Sequence, residues 1–77
     1  MEEKIYLTNL FYIYGELLTK KQQTYFKDYY ISDLSLREIA TNYNISFQAV
    51  KATIDSSKKL LIKYENVIKM YERNKNA

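Results

Sequence analysis

One glycine, Gly15, and no proline punctuate 77 residues, so almost nothing in this chain stops a helix or forces a turn. Helix formers such as Leu, Lys, Glu and Gln fill the space between. The fold class that follows is all-α. A domain of this length hides only about 60% of the surface that its unfolded chain exposes. There is no Cys for a disulfide and no His to complete a Cys/His metal staple. Stability must come from a dense core or a partner chain, and nine Tyr with three Phe supply contact area for either. A homodimer is therefore expected.

The spacing of apolar residues divides the chain into four helices. Leu7, Leu10, Phe11, Tyr14, Leu17 and Leu18 recur at i, i+3, i+4 and predict a helix over roughly residues 4 to 18. Thr19 and Gln22 have the form of a capping box that opens a second helix, which buries Tyr25, Phe26, Tyr29 and Tyr30 and frays at Ile31, Ser32 and Asp33. Ser35 and Glu38 form a second such box, and a third helix runs to about Asn42. Asn44 suits a left-handed turn, and Ser46 caps a fourth helix expected from about 47 to 73. Asp55, Ser56 and Ser57 are its one weak patch, and Asn74 to Ala77 should fray.

Between residues 34 and 56 these features order themselves as a helix-turn-helix within a single domain, 1–77. Ala40 is small enough for two helices to cross, Asn44 makes the turn, and Ile39, Tyr43, Ile45, Val50 and Ile54 lock the second helix. In that motif the second helix enters a major groove by its first turns while the first helix touches phosphates. Phe47, Gln48, Lys51, Lys58 and Lys59 would then face nucleic acid, with Ser35, Arg37 and Ser46 toward the backbone. As a reading head this set is modest: no Arg stands on the early turns, and Asp55 repels a duplex. A solvated helix face gives the same pattern. An exposed Phe47 suits either a protein surface or a thymine methyl.

Charge sharpens this only a little. Of the +3 net charge, residues 46 to 77 carry seven Lys or Arg against three acids, and residues 1 to 45 five against six, which favours the second half as the nucleic-acid face. Ten of the twelve basic residues are Lys, which an AT-rich genome would also produce. Tyr6, Tyr12 and Ile13 fall off the stripe of the first helix. The fourth carries Val50, Ile54, Ser57, Leu61, Tyr64, Ile68 and Tyr71 in steps of four and three. That stripe extends roughly 30 Å at 1.5 Å per residue, longer than so small a domain covers by itself. An oligomer interface is expected at Tyr6, Tyr12, Ile13, Leu61, Tyr64, Ile68 and Tyr71.

Enzymatic chemistry is not expected. Without His or Cys there is no ordinary proton shuttle and no thiol nucleophile, and Gly15 alone builds no phosphate-cradling loop. No carboxylates are spaced to pair in a pocket, and no cofactor or metal is implied. No run approaches the roughly 18 uninterrupted apolar residues of a membrane span. Glu2 and Glu3 make the amino terminus unlike a secretory signal, so a cytoplasmic location is expected.

Asn9-Leu10-Phe11 with Tyr14, Leu17-Leu18-Thr19 with Lys21-Gln22, Tyr29-Tyr30, Leu34-Ser35-Leu36 with Glu38-Ile39-Ala40, and Ser46 with Gln48-Ala49-Val50 together span nearly the whole chain. In this combination the chain resembles the YlxM family of small helix-turn-helix proteins, related in fold to sigma factor region four. The resemblance implies a cytoplasmic bacterial protein from a low-GC Gram-positive or mollicute lineage. It also implies a regulatory role in the signal recognition particle pathway, beside whose GTPase genes the family is found, and hence that GTPase or its RNA as a partner, with DNA as the alternative. Two departures stand out. Phe47 takes the place where the family usually has Arg, and the family often continues into a further helical tail where this chain stops at Ala77.

Overall fold

The structure is a computed structural model that describes residues 2–75, with side chains described to residue 73. Five α-helices follow in order among the described residues: α1 Glu3–Tyr14, α2 Lys20–Phe26, α3 Leu36–Tyr43, α4 Phe47–Ile68 and α5 Met70–Lys75. The all-α expectation is met. The buried apolar side chains form one cluster, in which Leu7, Leu10, Phe26, Ile39, Val50 and Leu61 are almost wholly enclosed.

The first helix is shorter than its stripe suggested. After Tyr14 the chain tightens into a single 3-10 turn, Gly15–Leu17, which rotates Leu17 out to 58% exposure while Leu18 stays buried. A Cβ at Gly15 would stand 3.1 Å from the Phe11 ring, so any larger residue displaces a ring that stacks on Phe26 at 4.6 Å. The expected Thr19/Gln22 capping box is present in both directions. Beyond Phe26 the helix widens into a π turn, Lys27–Ile31, which ends near the predicted fraying point. Tyr30, four residues on, still follows Phe26 into the core, their rings 4.6 Å apart.

Ser35 and Glu38 close the second box as expected. Asn44 is left-handed, at φ 54 and ψ 47, and the Ile45 amide reaches back to the Ala40 carbonyl at 3.0 Å. This is the helix-ending pattern that Asn tolerates best after Gly. Ser46 accepts the Ala49 amide at 3.0 Å and starts α4.

One expectation for the long helix needs correction, and it does not concern the weak patch. The serine patch does not break it: Ser56 and Ser57 both donate to the Thr53 carbonyl at 2.8 Å, and Ser56 accepts from the Gln22 amide nitrogen at 3.2 Å. Their hydroxyls are satisfied within the fold, so they do not compete with the helix. The break falls later, at Lys69, which is left-handed with φ 58. The helix therefore does not run unbroken to residue 73. Instead α5 turns back and packs against α1 and α4. The predicted fraying falls partly on residues 76 and 77, outside the described residues.

Glu65 is the cause of the turn. It is only 7% exposed, and its Oε1 accepts from the Tyr14 hydroxyl at 2.7 Å and the Tyr71 amide at 3.1 Å. Its Oε2 accepts from the Glu72 amide at 3.0 Å, and the Tyr14 oxygen accepts the Met70 amide at 2.9 Å. Three amides that a continuous helix would aim at its own carbonyls are captured by two side chains fixed in the core.

Candidate recognition surface of the helix-turn-helix

Helices α3 and α4 present a continuous outer face. Along α4, Gln48, Lys51, Ala52, Asp55 and Lys59 repeat at three- and four-residue steps and all reach the surface, so the fold brings together most of the residues expected on a reading head. Gln48 and Lys59 project without a hydrogen-bond or ion-pair partner among the described residues. The others are engaged. Lys51 donates to Asp55 at 2.9 Å, and that hydrogen bond holds the Asp55 carboxyl below its ordinary range. Lys58 is drawn inward, 3.8 Å from Glu3 and 3.7 Å from Asp55. Burial lowers its pKa, but Tyr30, Glu3 and Asp55 outweigh this and leave it raised. Ser35 and Ser46 spend their oxygens on the caps of α3 and α4.

At the start of α4, Phe47 is 41% exposed and the Arg37 guanidinium lies over its ring, 6.0 Å from the centroid. A cation over an aromatic face is attractive by about 0.5–1 kcal/mol when exposed, so the contact favours the two side chains lying together at this corner. The pair borders an open cleft of about 820 Å³ that also includes Tyr29, Leu34, Ser35 and Leu36. Sequence reasoning named both residues but missed their contact, because Arg37 and Phe47 sit on different helices. Asp55 as the partner of Lys51 at i, i+4 and of Lys58 at i, i−3 was legible in the spacing; the second partner of Lys58, Glu3, was not, since it comes from the far end of the chain.

Most of the residues expected at an oligomer interface pack within the chain. Leu61 is 0% exposed and belongs to the core. Tyr64 packs on Tyr14 at 6.1 Å, Tyr71 meets Tyr6 edge-on at 5.6 Å, and Ile13 is half-buried against the core. Helices α1 and α2 and the returning α5 cover the stripe that a partner was to cover. Only Tyr12, at 71%, and Ile68 remain openly exposed from that set. Among the described residues no three His, Cys, Asp or Glu side chains gather to hold a metal ion, and no helix is long and apolar enough to cross a membrane.

A short capped helix, a left-handed Asn turn and a long second helix locked by Ile39, Val50 and Ile54 define a helix-turn-helix protein. All of residues 1–77 match the family described as "Putative helix-turn-helix protein, YlxM / p13 like", UPF0122. The chain belongs to that family. It is 42% identical over 76 residues to a UPF0122 protein of Fusobacterium nucleatum, covering 99% of this chain and 74% of the relative. To a UPF0122 protein of Clostridium acetobutylicum it is 45% identical over 75 residues, covering 97% of this chain and 65% of the relative. For Clostridium kluyveri the identity is 47% over 76 residues, with 99% and 68% covered. This chain thus spans about two thirds to three quarters of its relatives' length.

Proposed function

We propose that this chain is a regulatory helix-turn-helix protein of the signal recognition particle pathway, working in the cytoplasm through contact with the pathway's GTPase or its RNA. The pathway comes from the family resemblance. The mode of action comes from the Phe47–Arg37 corner: a part-exposed aromatic beside a guanidinium is the composition of a protein-binding anchor, in which Tyr, Trp, Phe and Arg are over-represented. A duplex reader would keep its cations free, whereas Lys51 and Lys58 are already paired with acids. The same reading includes a homodimer.

The second reading is duplex DNA binding. Gln48 and Lys59 favour it, as the unengaged polar residues of the reading face, with Gln48 able to pair with adenine. Ser35, Arg37 and Ser46 would then lie near phosphates, beside Lys51 and Lys58.

Capture of partners from lysate on the immobilised protein separates the readings when it is done untreated, with ribonuclease and with deoxyribonuclease. A GTPase retained after both nucleases is the expected result. Loss with ribonuclease alone assigns the RNA, and loss of all capture with deoxyribonuclease overturns the pathway reading in favour of DNA.

A further inference from the structure

The bend at Lys69 is held in place against local preference. Residues 66 to 72 contain neither Gly nor Pro, and the apolar steps Leu61, Tyr64, Ile68, Tyr71 continue through the bend as if the helix did. Lys69 nonetheless adopts φ 58 and ψ 31, a conformation that costs a residue with a Cβ and that glycine takes freely. Around it Val67, Ile68 and Met70 are exposed apolar side chains. What opposes straightening is the capture of three α5 amides by Glu65 and Tyr14, together with the seat of Tyr71 on Tyr6.

We propose that α5 is an exchangeable arm: the bend opens at Lys69, α4 and α5 join as one straight helix, and the α5 of each of two copies lies in the other's groove. This rests on the homodimer reading above and supplies the way that the dimer forms. In the straight helix the amides of Met70, Tyr71 and Glu72 return to the carbonyls of Asn66, Val67 and Ile68, the left-handed strain at Lys69 disappears, and Glu65 keeps Tyr14. The three amides are paired in both states, so the exchange sets the two donors that Glu65 gives up, the Tyr71 and Glu72 amides, against the left-handed cost removed at Lys69.

The groove suits a second α5 by its chemistry. With α5 in place it measures about 760 Å³, with Tyr6, Leu7 and Ile62 as an apolar floor and Tyr71 of α5 as one wall, so an arriving α5 takes the seat on Tyr6 that its counterpart leaves. Its rim carries both signs, Glu3 and Asp55 with Lys58 and Lys59. Helix α5 brings apolar Met70 and Tyr71 beside Glu72 and Arg73, again one charge of each sign. Exchange of an identical element is a low-cost route to a dimer because the arm meets a surface already shaped for it. The exposed Val67, Ile68 and Met70 would line the seam where the two straightened helices pass.

Two conservative changes at the hinge test this by sedimentation over a concentration series. Lys69→Gly relieves the bend and weakens the straight helix, whereas Lys69→Ala does the reverse, so their dimerisation constants should differ by about tenfold or more. Because the chain contains no Cys, a Tyr6→Cys/Tyr71→Cys variant treated with a short bismaleimide reports which copy supplies α5. It should link between chains in the Lys69→Ala background and within one chain in the Lys69→Gly background. Equal dimerisation by the two hinge variants overturns the exchange. A dimer that survives deletion of residues 70–77 overturns the exchange while leaving the homodimer reading intact. Monomers for every form at all concentrations overturn both.

Discussion

Leu61→Asp is expected to unfold this protein, not to split a dimer. Leu61 is wholly enclosed in the cluster formed with Leu7, Leu10, Phe26, Ile39 and Val50. Truncating such a residue to Ala costs about 2–5 kcal/mol, and a carboxylate in its place adds the penalty of burying an unpaired charge. A small domain has about 5 kcal/mol at the lower end of the usual range to lose, so the total exceeds the reserve. Circular dichroism should show loss of most helix at 25 °C. Ile62→Asp is the control: Ile62 is adjacent in sequence and 40% exposed, and should leave the fold near wild type. A folded, monomeric Leu61→Asp variant would return Leu61 to an intermolecular seam.

Glu65→Ala is the second large effect. It strips acceptors from the Tyr14 hydroxyl and from the Tyr71 and Glu72 amides at once. An abandoned buried donor costs about 1–3 kcal/mol, but α5 lifts into water and recovers part of this, so a net loss of about 2–4 kcal/mol is expected in urea unfolding. Hydrogen exchange at residues 70 to 72 should rise before the rest of the chain opens. Glu65→Gln keeps one acceptor oxygen and should cost less.

The same network sets an alkaline limit. Burial, and then the hydrogen bond to Glu65, raise the Tyr14 hydroxyl above its ordinary 10.0. Burial also raises Tyr6 and Tyr30, and the Asp28 hydrogen bond raises Tyr43. A raised value in the folded state means that the neutral phenol is favoured there, so this stability is complete below pH 10 and is lost as pH rises through the folded values. Melting followed together with tyrosinate absorbance should show the two transitions rising together above pH 10. Tyrosines that titrate in the intact fold at their ordinary value would contradict this.

What the sequence made legible was local. Both capping boxes, the left-handed Asn44 and the Ser46 cap are decided within four residues, and each stands where the spacing put it. The bend at Lys69 was hidden because the groups that hold it, Glu65 and Tyr14, are brought together by packing across 51 positions, while the intervening sequence reads as helix. The misplaced Leu61 has the same origin. A heptad-like stripe tells which face is covered, but not whether α1 and α2 or a second chain covers it. On the candidate surface, residue identities were legible and their states were not. Arg37 over Phe47 and Lys58 beside Glu3 arise between elements, and they change the reading from a row of free cations to an aromatic corner.

The most direct test compares Phe47→Ala with a Lys51→Ala/Lys59→Ala double variant, measuring stimulation of the targeting GTPase and binding to duplex DNA side by side. Docking through the aromatic corner predicts that Phe47→Ala weakens GTPase coupling by about 2 kcal/mol, roughly thirtyfold. The lysine changes should matter little at physiological salt, where exposed charges are screened within about 8 Å. If instead Phe47→Ala is silent while the double variant weakens duplex binding and lowers its salt slope by about one unit for each lysine, the surface reads nucleic acid and the protein-docking account is wrong.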